Sequence, residues 1–117
     1  MVVPALGQLL HSGEEEVHHD ACWALSYVTD RQDLEHIEAV VTSPGVCVRL
    51  AELVAHENNK VVQAALRALG NLVTGNAAQT QAVIEAGALP AVNGLLSVPN
   101  KRSIKKEACW LVSNIAA

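Results

Sequence analysis

The chain has 117 residues, of which 50% are hydrophobic and only 3% aromatic, with no phenylalanine and a formal charge of -4. One domain is the most this length supports, and its interior must be built from Leu, Val, Ile and Ala, which favours closely packed helices over a sheet sandwich. The acidic balance argues against a nucleic-acid backbone as partner, because phosphate binding needs clustered positive charge, and no apolar run nears the roughly 18 residues needed to cross a bilayer.

The N-terminus lacks the charged and apolar regions of a secretion signal, so a soluble intracellular protein is expected. The first apolar helix reads VVPALGQLL, residues 2–10. Glu14 to Glu16 precede the next helix, where negative charge suits the positive end of the helix dipole, and Ser12 is expected to cap it. That helix carries VHHDACWALSYVTD, residues 17–30. A shorter segment, DLEHIEAVV, follows and closes on Ser43-Pro44-Gly45, with glycine ending one helix as the next begins.

Next come VCVRLAELV and VVQAALRALGNLVTG, then the second short helix, AAQTQAVIE, with Asn76 expected as its cap and Ala86-Gly87 as its stop. LPAVNGLLS and IKKEACWLVSNIAA complete the chain, with Asn100 expected to cap the last helix. The basic run Lys101, Arg102, Lys105 and Lys106 opens that helix and reads as a solvated face.

Three of these segments align on one anchor. Val17, Val61 and Ile104 correspond, as do Ala21, Ala65 and Ala108, and as do Trp23, Arg67 and Trp110, at spacings of 44 and 43 residues. The pairs Leu9-Leu10, Leu53-Val54 and Leu95-Leu96 recur in register upstream of each anchor. A unit of roughly 42 to 47 residues, with one short helix and two longer ones, has the period of armadillo or HEAT repeats rather than of ankyrin or tetratricopeptide arrays. The expected fold is therefore all-α: a right-handed superhelical armadillo-repeat solenoid of about two and a half to three repeats. Read as one array, 1–117, it divides into a partial repeat at 2–45, a full repeat at 46–88 and a repeat at 89–117 cut at its end. No unit of such an array buries its apolar face alone. Ends without polar caps imply self-association or a fragment of a longer protein.

In such a unit the third helix lines the groove, so side chains three and four residues apart form its binding stripe. The stripes read Asp20, Trp23, Tyr27; then Ala64, Arg67, Asn71; then Glu107, Trp110, Asn114. An indole face attracts the stem and head of Lys or Arg. A carboxylate one turn earlier can pair with that head, and an Asn amide can bond a peptide backbone without reading its side chains. Two tryptophans at homologous positions could also be equivalent packing residues.

Nothing points to catalysis. His11, His18, His19, His36 and His56 show no metal-ligand spacing and are expected to be solvent-facing or incidental, so neither metal nor cofactor is called for. Cys22, Cys47 and Cys109 are odd in number and unpaired in spacing, and are expected to be buried small hydrophobes.

The segments ACWALSY, ALRALGN, TQAVIEAGALP and SIKKEACWLVSNI resemble the armadillo domain of the importin-α family of nuclear-import adaptors. The resemblance spans essentially the whole chain and includes Trp-x-x-x-Asn and the replacement of Trp by Arg in one central unit. It implies a segment matching the fifth to seventh repeats, between the major and minor sites that hold Lys/Arg-rich localisation signals. By that likeness Asp20 and Trp23 border the major site. Asn71, Val73, Thr74, Thr80, Glu107, Trp110 and Asn114 belong to the minor one. The implied protein shuttles between cytoplasm and nucleus, binding extended basic peptides of cargo. It lacks here the earlier and later repeats and the segment that recruits importin-β, so transport by this chain alone is not expected. Helices packed 8 to 10 Å apart put Trp23 and Trp110 on the order of 20 Å from each other. Arg67 between them is expected to repel a basic peptide at mid-groove. The competing expectation is a structural array whose ends assemble into homo-oligomers.

Overall fold

A computed structural model describes residues 2–11, 13–30 and 34–116. These form α1 (Val2–Leu10), α2 (Glu15–Thr29), α3 (Leu34–Thr42), α4 (Val46–Leu53), α5 (Asn59–Leu72), α6 (Ala77–Glu85), α7 (Ala88–Leu96) and α8 (Arg102–Ala116), with no strand among the described residues. The helices stack in register. α5 packs between α2 and α8, α4 between α1 and α7, and α3 against α6, giving a slab of 38 × 35 × 22 Å.

The central helix shows what stacking does to burial. In α5, Val61, Val62, Leu66, Leu69 and Leu72 are buried together with the small residues Ala64, Ala65, Ala68 and Gly70, because neighbours cover it on both flanks. In α8, only Ile104, Ala108 and Leu111 are buried, the i, i+4, i+7 stripe of a helix covered on one side. Leu10, Leu25, Leu50, Leu66, Leu69 and Leu111 are wholly inaccessible, and each contributes about 1.5 to 3 kcal/mol by leaving water.

Local signals hold the helices apart. Gly45 (φ 76°) and Gly87 (φ 97°) both take the left-handed conformation that an L side chain resists, and both sit at the turn where a first helix meets a second. Asn76 caps α6 in a full capping box with Gln79, as its position suggests. Asn58, which the sequence reading passed over, caps α5 by accepting from the Lys60 N–H at 2.8 Å. Ser12 lies outside the described residues, and Glu14 stands at the start of α2 without a side-chain cap bond. Asn100 accepts from the Lys101 N–H at 3.0 Å, one residue before α8 begins, so it bonds the approach to the helix rather than its first turn.

Several expectations need correction. Each unit has one long helix, not two: α4 has 8 residues and α7 has 9, against 14 in α5 and 15 in α8. After Leu53 the chain tightens, with Val54, Ala55 and His56 bonding three residues back, to Ala51, Glu52 and Leu53, so the apolar run outlasts the α-helix. Cys22 and Cys47 are buried but Cys109 is exposed, because it lies beside the buried stripe of α8 and not on it. His18 is also buried, its ring 6.0 Å from that of His56. His11 and His36 do face solvent, and the basic run at 101–106 is exposed at all four cations. No described helix is long and apolar enough to cross a membrane, and no group of three metal-ligating side chains occurs among the described residues.

Candidate functional site

Because α2, α5 and α8 lie side by side, their matched positions form rows across one face. Helical spacing brings Asp20, Trp23 and Tyr27 onto one side of α2. The Trp23 and Tyr27 rings stand 6.1 Å apart at 33°, with Tyr27 exposed and Trp23 half-buried. His19, four residues before Trp23, joins them: its Nε2 accepts from the indole N–H at 2.9 Å, and its Nδ1 lies 3.4 Å from Asp20 Oδ1. The sequence reading left His19 out, although the i, i+4 spacing to Trp23 was its visible signal. Glu15, Glu16, His19 and Asp20 line one recess with Lys60 of α5 and its cap Asn58.

One repeat further on, Arg67 faces Glu107 and Trp110. Its Nε donates to Glu107 Oε2 at 3.1 Å and its terminal nitrogen bonds Oε1, while the guanidinium carbon sits 5.4 Å from the centre of the Trp110 indole. The Glu107 carboxylate, the nearest cause, holds the proton on Arg67 more tightly than usual, against a smaller effect of burial, and the negative charges of Glu107 and Asp30 add to it. Two expectations change. The charge of Arg67 is matched internally, and Glu107 with Trp110 is occupied by a side chain of the protein where a ligand cation was expected.

The asparagines also bond inward. Asn71 is 5% exposed and its amide donates to the Ser26 carbonyl at 2.9 Å, on the preceding third helix. Asn114 reaches the Gly70 carbonyl at 3.4 Å in the same way. Ser26 and Gly70 sit at matched positions of α2 and α5, so these bonds are equivalent rungs between successive repeats. Asn114 stays half-exposed.

Beyond α5 the chain turns, and Val73, Thr74, Gly75, Thr80, Asn114 and Ile115 line an open recess. Val73 is buried, with the Thr74 hydroxyl donating to the Asn71 carbonyl at 2.6 Å and the Thr80 hydroxyl to the Val73 carbonyl at 3.4 Å. The predicted residues thus gather in three groups: Asp20, Trp23 and Tyr27; Arg67, Glu107 and Trp110; and Val73, Thr74, Thr80 and Asn114. Asn71 stands behind the last two as a strut. Neither tryptophan is sealed inside, Trp110 being 37% exposed.

The armadillo/beta-catenin-like repeat family matches residues 2–30, 33–74 and 76–117. Importin subunit alpha-1a of Oryza sativa subsp. japonica is 53% identical over 98% of the chain, and importin subunit alpha-3 of Arabidopsis thaliana is 49% identical over 92%. The chain spans 22% and 20% of those two proteins. Among solved structures, a designed armadillo repeat protein in complex with the peptide (KR)4 superposes with a TM-score of 0.90 at 32% identity, covering 98% of this chain and 47% of that one.

Proposed function

We propose a function from the premise that this chain belongs to the armadillo-repeat family, in its importin-α branch: the face formed by α2, α5 and α8 binds extended Lys/Arg-rich peptides, as a segment of a nuclear protein import adaptor moving between cytoplasm and nucleus. The observation that carries this reading is the pairing of exposed or half-exposed aromatic faces with carboxylates on the two third helices that flank α5. At one end Trp23 and Tyr27 stand one and two turns beyond Asp20, which lines a recess with Glu15 and Glu16. At the other, the internal contact of Arg67 with Trp110 and Glu107 shows the geometry in which this face holds a guanidinium. A designed relative binds alternating Lys and Arg, and the net charge of -4 suits a basic ligand.

Under this reading the protein works by binding and carries no catalytic step. Trp23 and Tyr27 take the methylene stems and heads of basic side chains, Asp20 pairs with one of them, and Thr74, Thr80 and Asn114 bond the peptide near the far recess. The test is a fluorescence-anisotropy titration with a labelled Lys/Arg peptide at two salt concentrations. Binding that weakens with salt, and that is lost in Trp23→Ala with helicity intact, supports the reading. Equal binding by Trp23→Ala and by a peptide with its cations replaced by Gln overturns it.

A second reading rests on where apolar surface is exposed. Leu89, Leu96, Val98, Trp110 and Val112 are each exposed on α7, α8 and the turn between them, and exposed apolar side chains favour self-association. Sedimentation velocity across a hundredfold range of concentration separates the two, since a monomer throughout removes the assembly reading.

A further inference from the structure

We propose that His19 is a positioning residue for Trp23 and makes capture of a basic peptide at this end of the face weaken as pH falls, a proposal that rests on the peptide-binding reading above. The indole N–H donates to His19 Nε2 at 2.9 Å, so Nε2 offers its lone pair and the proton of the neutral ring lies on Nδ1. That proton points to Asp20, 3.4 Å away. The chain Asp20–His19–Trp23 therefore has one consistent assignment of protons, and it ties down the only polar atom of the indole. Trp23 is held between two rings, with His19 at 6.3 Å and 79° on one side and Tyr27 at 6.1 Å and 33° on the other. Fixing the indole fixes which face is offered to a cation.

Histidine is the side chain whose charge ordinarily changes between pH 5 and 8. A proton on Nε2 sets two N–H donors head to head, and the bond to Trp23 is lost. It also places a positive charge in a recess lined by Glu15, Glu16 and Asp20, the carboxylates a ligand cation would use. Lys60 of α5 and the neutral Asn58 that caps it line the same recess. α1, VVPALGQLL, carries no titratable side chain. Glu35, His36 and Glu38 of α3 do not line the recess, and His18 packs toward His56. Protonation thus removes the anchor of the indole and supplies an internal competitor for its carboxylates.

The experiment measures Lys-peptide affinity from pH 8 to pH 5.5 in the wild type, His19→Gln and His19→Ala, with circular dichroism at each pH. Tryptophan emission is followed over the same range in a Trp110→Phe background, where Trp23 is the remaining indole. Glutamine keeps a neutral acceptor four residues from Trp23 and cannot take the proton. The expected result is an affinity that falls about tenfold in the wild type as the ring charges, stays flat in both variants, and is retained at pH 8 by His19→Gln better than by His19→Ala. Trp23 emission shifts with pH when His19 is present and not in His19→Gln. Parallel affinity and emission profiles for the wild type and His19→Gln overturn the proposal. If no peptide binds at any pH, the peptide-binding reading and the affinity half of this proposal fail together, while the emission titration still decides whether His19 controls Trp23.

Discussion

Arg67 lies with its guanidinium carbon 5.4 Å from the centre of the Trp110 indole, one repeat away, so a cation of the protein already occupies the ring face that the sequence offers to a ligand. The same guanidinium is bonded twice to Glu107. Trp110 and Glu107 are three residues apart on α8 and meet Arg67 as a pair, which makes the middle of this face self-satisfied.

Removing that internal cation should open a subsite. Arg67→Ala is expected to tighten binding of a Lys/Arg peptide several-fold, because Glu107 and the Trp110 face become available. Stability should fall by about 1 to 3 kcal/mol, since Glu107, only 12% exposed, loses the cation bonded to it. Anisotropy titration and urea denaturation measure the two effects. Weaker binding in Arg67→Ala would show instead that Arg67 itself touches the ligand.

Gly70 makes room for the same tryptophan. A Cβ built there overlaps Cζ3 and Cε3 of the Trp110 ring. In Gly70→Ala the roughly 1 kcal/mol gained in helix propensity is outweighed by an overpacking cost of about 1 to 3 kcal/mol. The expected net loss is up to about 2 kcal/mol by chemical denaturation, with altered Trp110 emission. Gly70→Ala combined with Trp110→Ala should recover the propensity gain, a coupling that a double-mutant cycle reads directly.

The two inter-repeat asparagine rungs should differ in strength. Asn71→Ala removes the 2.9 Å bond to the buried Ser26 carbonyl, to which the Thr29 hydroxyl donates at a longer 3.3 Å, a cost of about 1 to 2 kcal/mol. Asn114→Ala removes a bond of 3.4 Å from a half-exposed side chain and should cost about 0.5 kcal/mol or less. Denaturant midpoints that rank the other way would contradict the assignment of Asn71 as the strut.

The thiols should separate by reactivity. Burial pushes Cys22 from 9.0 up to about 12, opposed only by Arg49, and pushes Cys47 up to about 11. Both stay protonated while Cys109 is exposed, so a chromogenic disulfide reagent at pH 8 should titrate about one thiol in the folded protein and all three after unfolding. The raised values also set a pH dependence. Below 9.0 both folded and unfolded thiols keep their protons and the stabilisation is whole. As pH climbs from there towards 11 and 12, the unfolded chain releases protons that the folded one retains, and stability falls. A denaturation midpoint unchanged between pH 8.5 and pH 11 would contradict this.

Much of the fold was legible before any coordinates. Helix periodicity, the left-handed glycines 45 and 87 and the Asn76 cap depend on neighbours within a few residues, and with the recurrence of Trp23, Arg67 and Trp110 along the chain they located the third helices correctly. What escaped was partnership. The sequence placed Glu107, Trp110 and Arg67 on ligand-facing stripes without showing that they satisfy one another, and it placed Asn71 on the surface although its amide is spent on Ser26. It buried Cys109 along with the other cysteines, and it ran α4 through an apolar stretch that the backbone tightens.

The physical reason is one of range. A period of 3.6 residues states which side of a helix a residue occupies, and local turn chemistry states where that helix stops, so the order of helices and the lines of residues along them are properties of the chain alone. The angle and offset at which one helix lies on the next are set by packing between residues some 40 positions apart. A shift of one turn along that contact exchanges one partner for another, so the tertiary structure alone decided that Arg67 closes on Trp110, that Asn71 turns inward, and that His19 and Asp20 share a recess with Lys60.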